Sequence, residues 1–111
     1  MTFSPAEPRP AQATQVTVTE DALTVDLVDG RSISVPLDWY PRLAHGTPDE
    51  RTNWRLIGRG EGVAWPQLDE DVSIEGLLAG RRSSESQSSL ERWLRGRALA
   101  NSDVEADGLP T

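Results

Sequence analysis

Asp69, Glu70 and Asp71 place three carboxylates side by side. Hard divalent cations take oxygen ligands of this kind. Consecutive side chains rarely point at one centre, however, and acids just ahead of a helix favour its N-terminal dipole. A structural role is therefore expected for Asp69, Glu70 and Asp71, and no metal. His45 is the single histidine, so any Ser–His or His–metal catalysis would depend on it wholly. It precedes Gly46 at a predicted helix end, where histidine interacts with the last carbonyls. Gly58-Arg59-Gly60-Glu61-Gly62 has the glycine density of a phosphate loop. A phosphate loop must open a helix, whereas Val63-Ala64-Trp65-Pro66 reads as a strand. A hairpin turn is expected there, and no catalytic residue or cofactor anywhere.

A second set of residues has the chemistry of contact rather than catalysis. Trp39 and Tyr40 lie beside Arg42, and aromatic–arginine groupings are typical interface anchors. Leu90, Trp93 and Leu94 repeat at helical spacing, with Arg92, Arg95 and Arg97 largely off that stripe. A helix of about ten residues is not stable alone in water, so this stripe must dock on its own domain or on a partner. Partner binding is the expectation for Leu90, Trp93, Leu94, Arg92, Arg95, Trp39, Tyr40 and Arg42. Trp54 and Trp65 are expected in the core.

The elements that position these residues come from one small domain. The chain has 111 residues, no cysteine and a net charge of −7, and all 11 of its cationic residues are arginine. A domain this small buries only about 60–65% of its unfolded surface, so its stability margin is thin. Disulfides and thiolate metal sites are excluded. No apolar run reaches the ~18 residues of a membrane span. No signal-peptide pattern precedes the prolines Pro5, Pro8 and Pro10, so a cytoplasmic location is expected. A globally acidic chain is repelled by phosphates, which argues against direct nucleic-acid binding.

Alternating apolar residues predict strands at Val16–Thr19, around Leu23–Leu27 and around Ile33–Leu37. Asp29-Gly30 suits a type I′ turn between the last two. Asp38 is a plausible N-cap for a short helix through Leu43, and Thr47-Pro48-Asp49-Glu50 has the signature of a capping box. Trp54–Gly58 and Val63–Trp65 form a second predicted hairpin, which Pro66 stops. Ser73 is placed to cap Ile74–Ala79, with Gly80 as its stop. Ser88 and Glu91 predict the start of the last helix. The domain organisation is a disordered arm at 1–15, a core at 16–80, a serine-rich linker at 81–89, a helix at 90–100 and a disordered tail at 101–111. The fold class is α+β, a small antiparallel sheet built from hairpins with short helices packed on it, plus a C-terminal helix.

Asp29-Gly30, Tyr40-Pro41-Arg42-Leu43, Arg51-Thr52-Asn53-Trp54, Gly60 to Gly62, Trp65-Pro66-Gln67-Leu68-Asp69-Glu70-Asp71 and Gly76-Leu77-Leu78-Ala79-Gly80 together resemble the bacterial domain-of-unknown-function family numbered 2442. The likeness covers roughly Val16 to Gly80, and Trp65, Pro66, Asp69, Glu70 and Asp71 are its motif residues of unknown role. The resemblance implies a small cytoplasmic α+β protein. Some members resemble regulators with a following helix-turn-helix domain, and short members are expected beside another small gene in an arrangement like toxin–antitoxin pairs. One helix after Gly80 is too little for a helix-turn-helix unit. The expected function is a non-catalytic interaction domain, antitoxin-like or regulatory, whose partner is a small protein encoded nearby; a homo-oligomer is compatible with this. A DNA-binding regulator using Arg81-Arg82 and Arg92, Arg95 and Arg97 is the alternative, and a carboxylate-dependent enzyme the second.

Overall fold

The computed structural model describes residues 11–108, with side chains described through residue 100. Much of the expected N-terminal arm and the last three residues lie outside that range. The chain order is β1 (Ala13–Val18), β2 (Ala22–Leu27), β3 (Ser32–Pro36), α1 (Pro41–Ala44), α2 (Pro48–Thr52), β4 (Arg55–Ile57), β5 (Gly62–Trp65), β6 (Glu70–Ser73), α3 (Ile74–Leu78) and α4 (Gln87–Gly108). The fold is α+β, as expected. Its strands divide into two antiparallel three-stranded sheets, β1-β2-β3 and β4-β5-β6.

In the first sheet, alternation puts Leu23, Val25 and Leu27 of β2 inward, with Val16 and Val35 from its neighbours. The β2–β3 turn differs from expectation. Gly30 alone in it has positive φ, at 94°, and the Leu27 N–H donates to Arg31 O while the Gly30 N–H donates to Leu27 O. Val28-Asp29-Gly30 is therefore a three-residue loop closed by a left-handed glycine, not the two-residue type I′ turn. Strand β1 starts at Ala13, inside the stretch expected to be unstructured, because the Ala13 N–H donates to Gly60 O and ties it to the second sheet.

In the second sheet β5 is buried along its whole length. Trp65 is 0% exposed, and its indole N–H donates to Arg51 O at 2.9 Å. Leu37, Leu43, Leu68, Ile74 and Leu77 complete the same core, and the half-buried Trp54 packs against it.

The helix caps are mostly as the sequence predicts. Thr47 and Glu50 form the reciprocal capping box, and Ser73 accepts from the Gly76 N–H. Gly80, at φ 74°, closes α3, with the Gly80 N–H donating to Leu77 O and the Arg81 N–H to Gly76 O. Two caps differ. Asp38 caps nothing: Leu37–Trp39 is a 3-10 turn, and Tyr40 is the cap residue before Pro41. Helix α4 starts at Gln87, and the Ser89 N–H donates to Ser86 Oγ, so Ser86 replaces Ser88 as its cap. That helix runs on to Gly108, through most of the expected tail. No helix of the described residues is long and apolar enough to cross a membrane.

Candidate functional site

Strand β6 is the element that sequence reasoning missed. Pro66–Leu68 makes a 3-10 turn, and Asp69 follows it in the left-handed conformation at φ 51°, which aspartate tolerates better than most residues. That reversal sends Glu70–Ser73 back along β5, pairing Trp65 with Glu70 and Val63 with Val72. The acids thus lie in and before a strand that itself leads into α3, and the strand separates them. Asp69 and Asp71 are exposed, Glu70 is half-buried, and Val72 is buried. Among the described residues no three acidic or histidine side chains converge as a metal would require.

Opposite β6 runs Arg81–Ser86, a strap without regular structure that was expected to be a linker. It is held at several points. Tyr40 is buried, and its hydroxyl donates to Arg81 O at 2.9 Å. The Ser83 N–H donates to Trp39 O, and the Arg82 guanidinium lies 4.9 Å from the centre of the half-buried Trp39 ring. Tyr40, expected at a partner surface, is a core residue because it anchors this strap.

Arg42 joins the pieces. Its Nη2 is 2.6 Å from Glu85 Oε2 and its Nε 2.9 Å from Oε1, a forked pair with both side chains largely shielded from solvent. Its Nη1 reaches Asp69 O and Oδ2 at 3.3 and 3.4 Å. Its guanidinium also lies 4.9 Å from the Trp93 ring centre, on the first half of α4. Arg97 lies 4.8 Å from the same ring and pairs with Glu50 of α2 at 2.8 Å. Leu90 is buried and Leu94 half-buried. The stripe expected to meet a partner thus packs on its own domain, with Trp93 between two guanidinium groups, because Arg42 and Glu50 supply the polar contacts that hold it. Arg92 and Arg95 face solvent.

Between β6 and the strap lies a groove of about 420 Å³, lined by Asp69–Ser73, Arg81–Glu85, Tyr40, Arg42, Gly76 and Ser89. Its electrostatics are uneven. The Arg42 guanidinium bonded to Glu85 holds that carboxyl below its ordinary 4.5, and Arg97 does the same for Glu50. Burial pushes Glu70 the other way. Glu70 Oε1 accepts from the Asp71 N–H, while its Oε2 is buried with no hydrogen-bond partner among the described residues. Burial also raises the Tyr40 phenol. The isolation of Glu70 was not visible in the sequence, since it depends on a strap that arrives from ten residues further on.

No curated protein matches the chain. Two solved structures share the fold. A Rhodospirillum rubrum protein of unknown function is 25% identical with a TM-score of 0.61, covering 71% of this chain and 98% of that one. An uncharacterized Chromobacterium violaceum protein is 29% identical with a TM-score of 0.57, covering 66% and 69%. The family model described as "Protein of unknown function (DUF2442)" matches residues 13–83, which span both sheets, α3 and the start of the strap. The chain belongs to the DUF2442 family.

Proposed function

We propose that the protein is a non-catalytic interaction domain that acts as the antitoxin-like or regulatory partner of a second protein. The observation that carries this reading is α4. It has 22 residues, about 33 Å at the usual rise. Among the described side chains, those that dock it run from Ser89 to Arg97, and Leu99 after them is 60% exposed. Most helical stability in proteins comes from packing an apolar face, and a partner over the exposed Leu99 supplies more of it. The groove chemistry supports the non-catalytic part. Ser89 donates to Glu85 Oε2 at 2.8 Å, but Arg42 keeps that carboxylate a poor base, and an unactivated serine is a weak nucleophile.

The test compares the tagged full chain with a chain ending at Ala98, expressed in the native host and analysed by copurification and mass spectrometry. The full chain is expected to retain a specific protein that the shortened chain loses, with both melting at the same temperature. Equal capture by both, or none by the full chain, overturns the reading.

A further inference from the structure

The groove follows the outer edge of a strand. β6 pairs with β5 on one side only and ends its sheet. The Ile74 N–H donates to Glu61 O at 2.9 Å, one step past the Gly62–Ser73 pair. Antiparallel ladders alternate bonded and non-bonded pairs. Val72 and Glu70 therefore bond to β5, while Asp71 and Ser73 turn their backbone groups to the outer edge. The Asp71 N–H is drawn onto Glu70 Oε1 at 3.2 Å, and the Ser73 carbonyl is positioned to open α3. The Asp71 C=O and the Ser73 N–H remain facing outward without a backbone partner among the described residues. The strap does not pair with them. Its own backbone groups bond to Trp39, Tyr40 and Gly76 instead. The four residues of β6 run about 13 Å, enough for a short extended segment lying between β6 and the strap.

We propose that the free edge of β6 takes an extended segment of a partner protein as an added strand, with a lysine or arginine of that segment reaching Glu70. Strand addition gains affinity from main-chain bonds and specificity from side-chain contacts. Charge selects the cation. Glu70 lines the groove, its Oε2 is buried and has no donor among the described residues, and a buried acceptor left unmatched is unfavourable until a donor arrives. Arg42 directs its donors to Glu85, Leu68 and Asp69. Asp69 and Asp71 add exposed carboxylates to the same wall, in a chain of net charge −7. Arg81 and Arg82 on the opposite wall disfavour a uniformly basic segment, so the fitting sequence carries its basic residue toward β6 among neutral neighbours. The proposal rests on the interaction reading only in taking the occupant to be a protein segment; it does not depend on α4.

The test is an NMR titration of the ¹⁵N-labelled full chain with the blocked peptide acetyl-Thr-Val-Arg-Val-Thr-amide. Two controls carry glutamate in place of the arginine, or N-methyl groups on alternate amides. Saturable shifts are expected at Asp71, Ser73 and Ser83–Glu85 and not in β1–β3. Either control peptide, or Glu70→Gln in the protein with its spectrum otherwise intact, is expected to weaken binding at least about fivefold. No saturable shift, shifts centred elsewhere, equal binding of all three peptides, or unchanged arginine-peptide binding by Glu70→Gln overturns the proposal. A partner captured through α4 with no peptide bound in the groove removes the strand-addition site and leaves the interaction reading standing.

Discussion

At Glu70 the cost of burial outweighs the favourable contacts, whereas at Glu50 and Glu85 a bonded arginine outweighs it, and the groups titrate with opposite consequences for the fold. Glu50 and Glu85 are held below their ordinary 4.5 by bonded arginines. Their contribution is present above the unfolded value and is lost as pH falls through the lower folded values. Glu70 is raised by burial. Its folded form takes up a proton before the unfolded form does, so it opposes folding at neutral pH and ceases to do so once pH falls below 4.5. Glu70→Gln is therefore expected to melt higher than wild type at pH 7, with the difference shrinking toward pH 4.5. Calorimetry across that range checks it, and a lower melting temperature at pH 7 contradicts the assignment. None of this was legible in the sequence. Three adjacent acids look alike until a strand alternates them between solvent and interior.

Two glycines separate the demands of a turn from those of a junction between elements. Gly30 has φ 94° and open space around an added side chain, so Gly30→Ala carries only the conformational penalty, about 1 kcal/mol. Gly60 has φ 95°, and a Cβ there would lie 2.6 Å from Ala13 O, where β1 meets the β4–β5 hairpin. Gly60→Ala is expected to lose more, about 2–3 kcal/mol, since strain and steric conflict fall on backbone that cannot turn aside. Chemical denaturation of the two variants checks the order, and equal midpoints would refute it. The hairpins, the Thr47 capping box, the Ser73 cap and the Gly80 stop were legible because each is a local pattern with local energetics. The arrangement of two sheets was not, because the Ala13–Gly60 bond that joins them links distant segments. Strand β6 was hidden for a related reason: Glu70-Asp71-Val72-Ser73 has little strand propensity and forms only because β5 lies beside it.

Across the whole molecule, α4 is attached mainly by guanidinium groups. Apart from Leu90 and the half-buried Trp93 and Leu94, its docking depends on Arg42 and Arg97 over the Trp93 ring and on the Arg97–Glu50 pair. Trp93→Ala removes the ring from between the two cations and is expected to destabilise the protein by about 2 kcal/mol. For a domain this size that lowers the melting temperature by roughly 8–16 °C. Arg97→Gln is expected to lower it less, and by an amount that shrinks in high salt, because the Glu50 pair is partly exposed and screened. Thermal melts at low and high ionic strength check both. An unchanged melting temperature for Trp93→Ala would mean that the helix docks through other contacts.

Arg42 reaches forward more than forty residues to Glu85 and further to Trp93, so its contacts form only after the strap and the first turns of α4 have been made. The first sheet is made of consecutive hairpins, but its Ala13 N–H bonds Gly60 O, and Leu23 and Val25 share one core with Trp65 and Leu68 of later elements. Until the strap has emerged, Arg42 lacks its carboxylate, Tyr40 lacks the Arg81 carbonyl, and β6 has no facing wall. The strap thus gives the open edge of β6 its facing wall, and the groove exists only while the strap is docked.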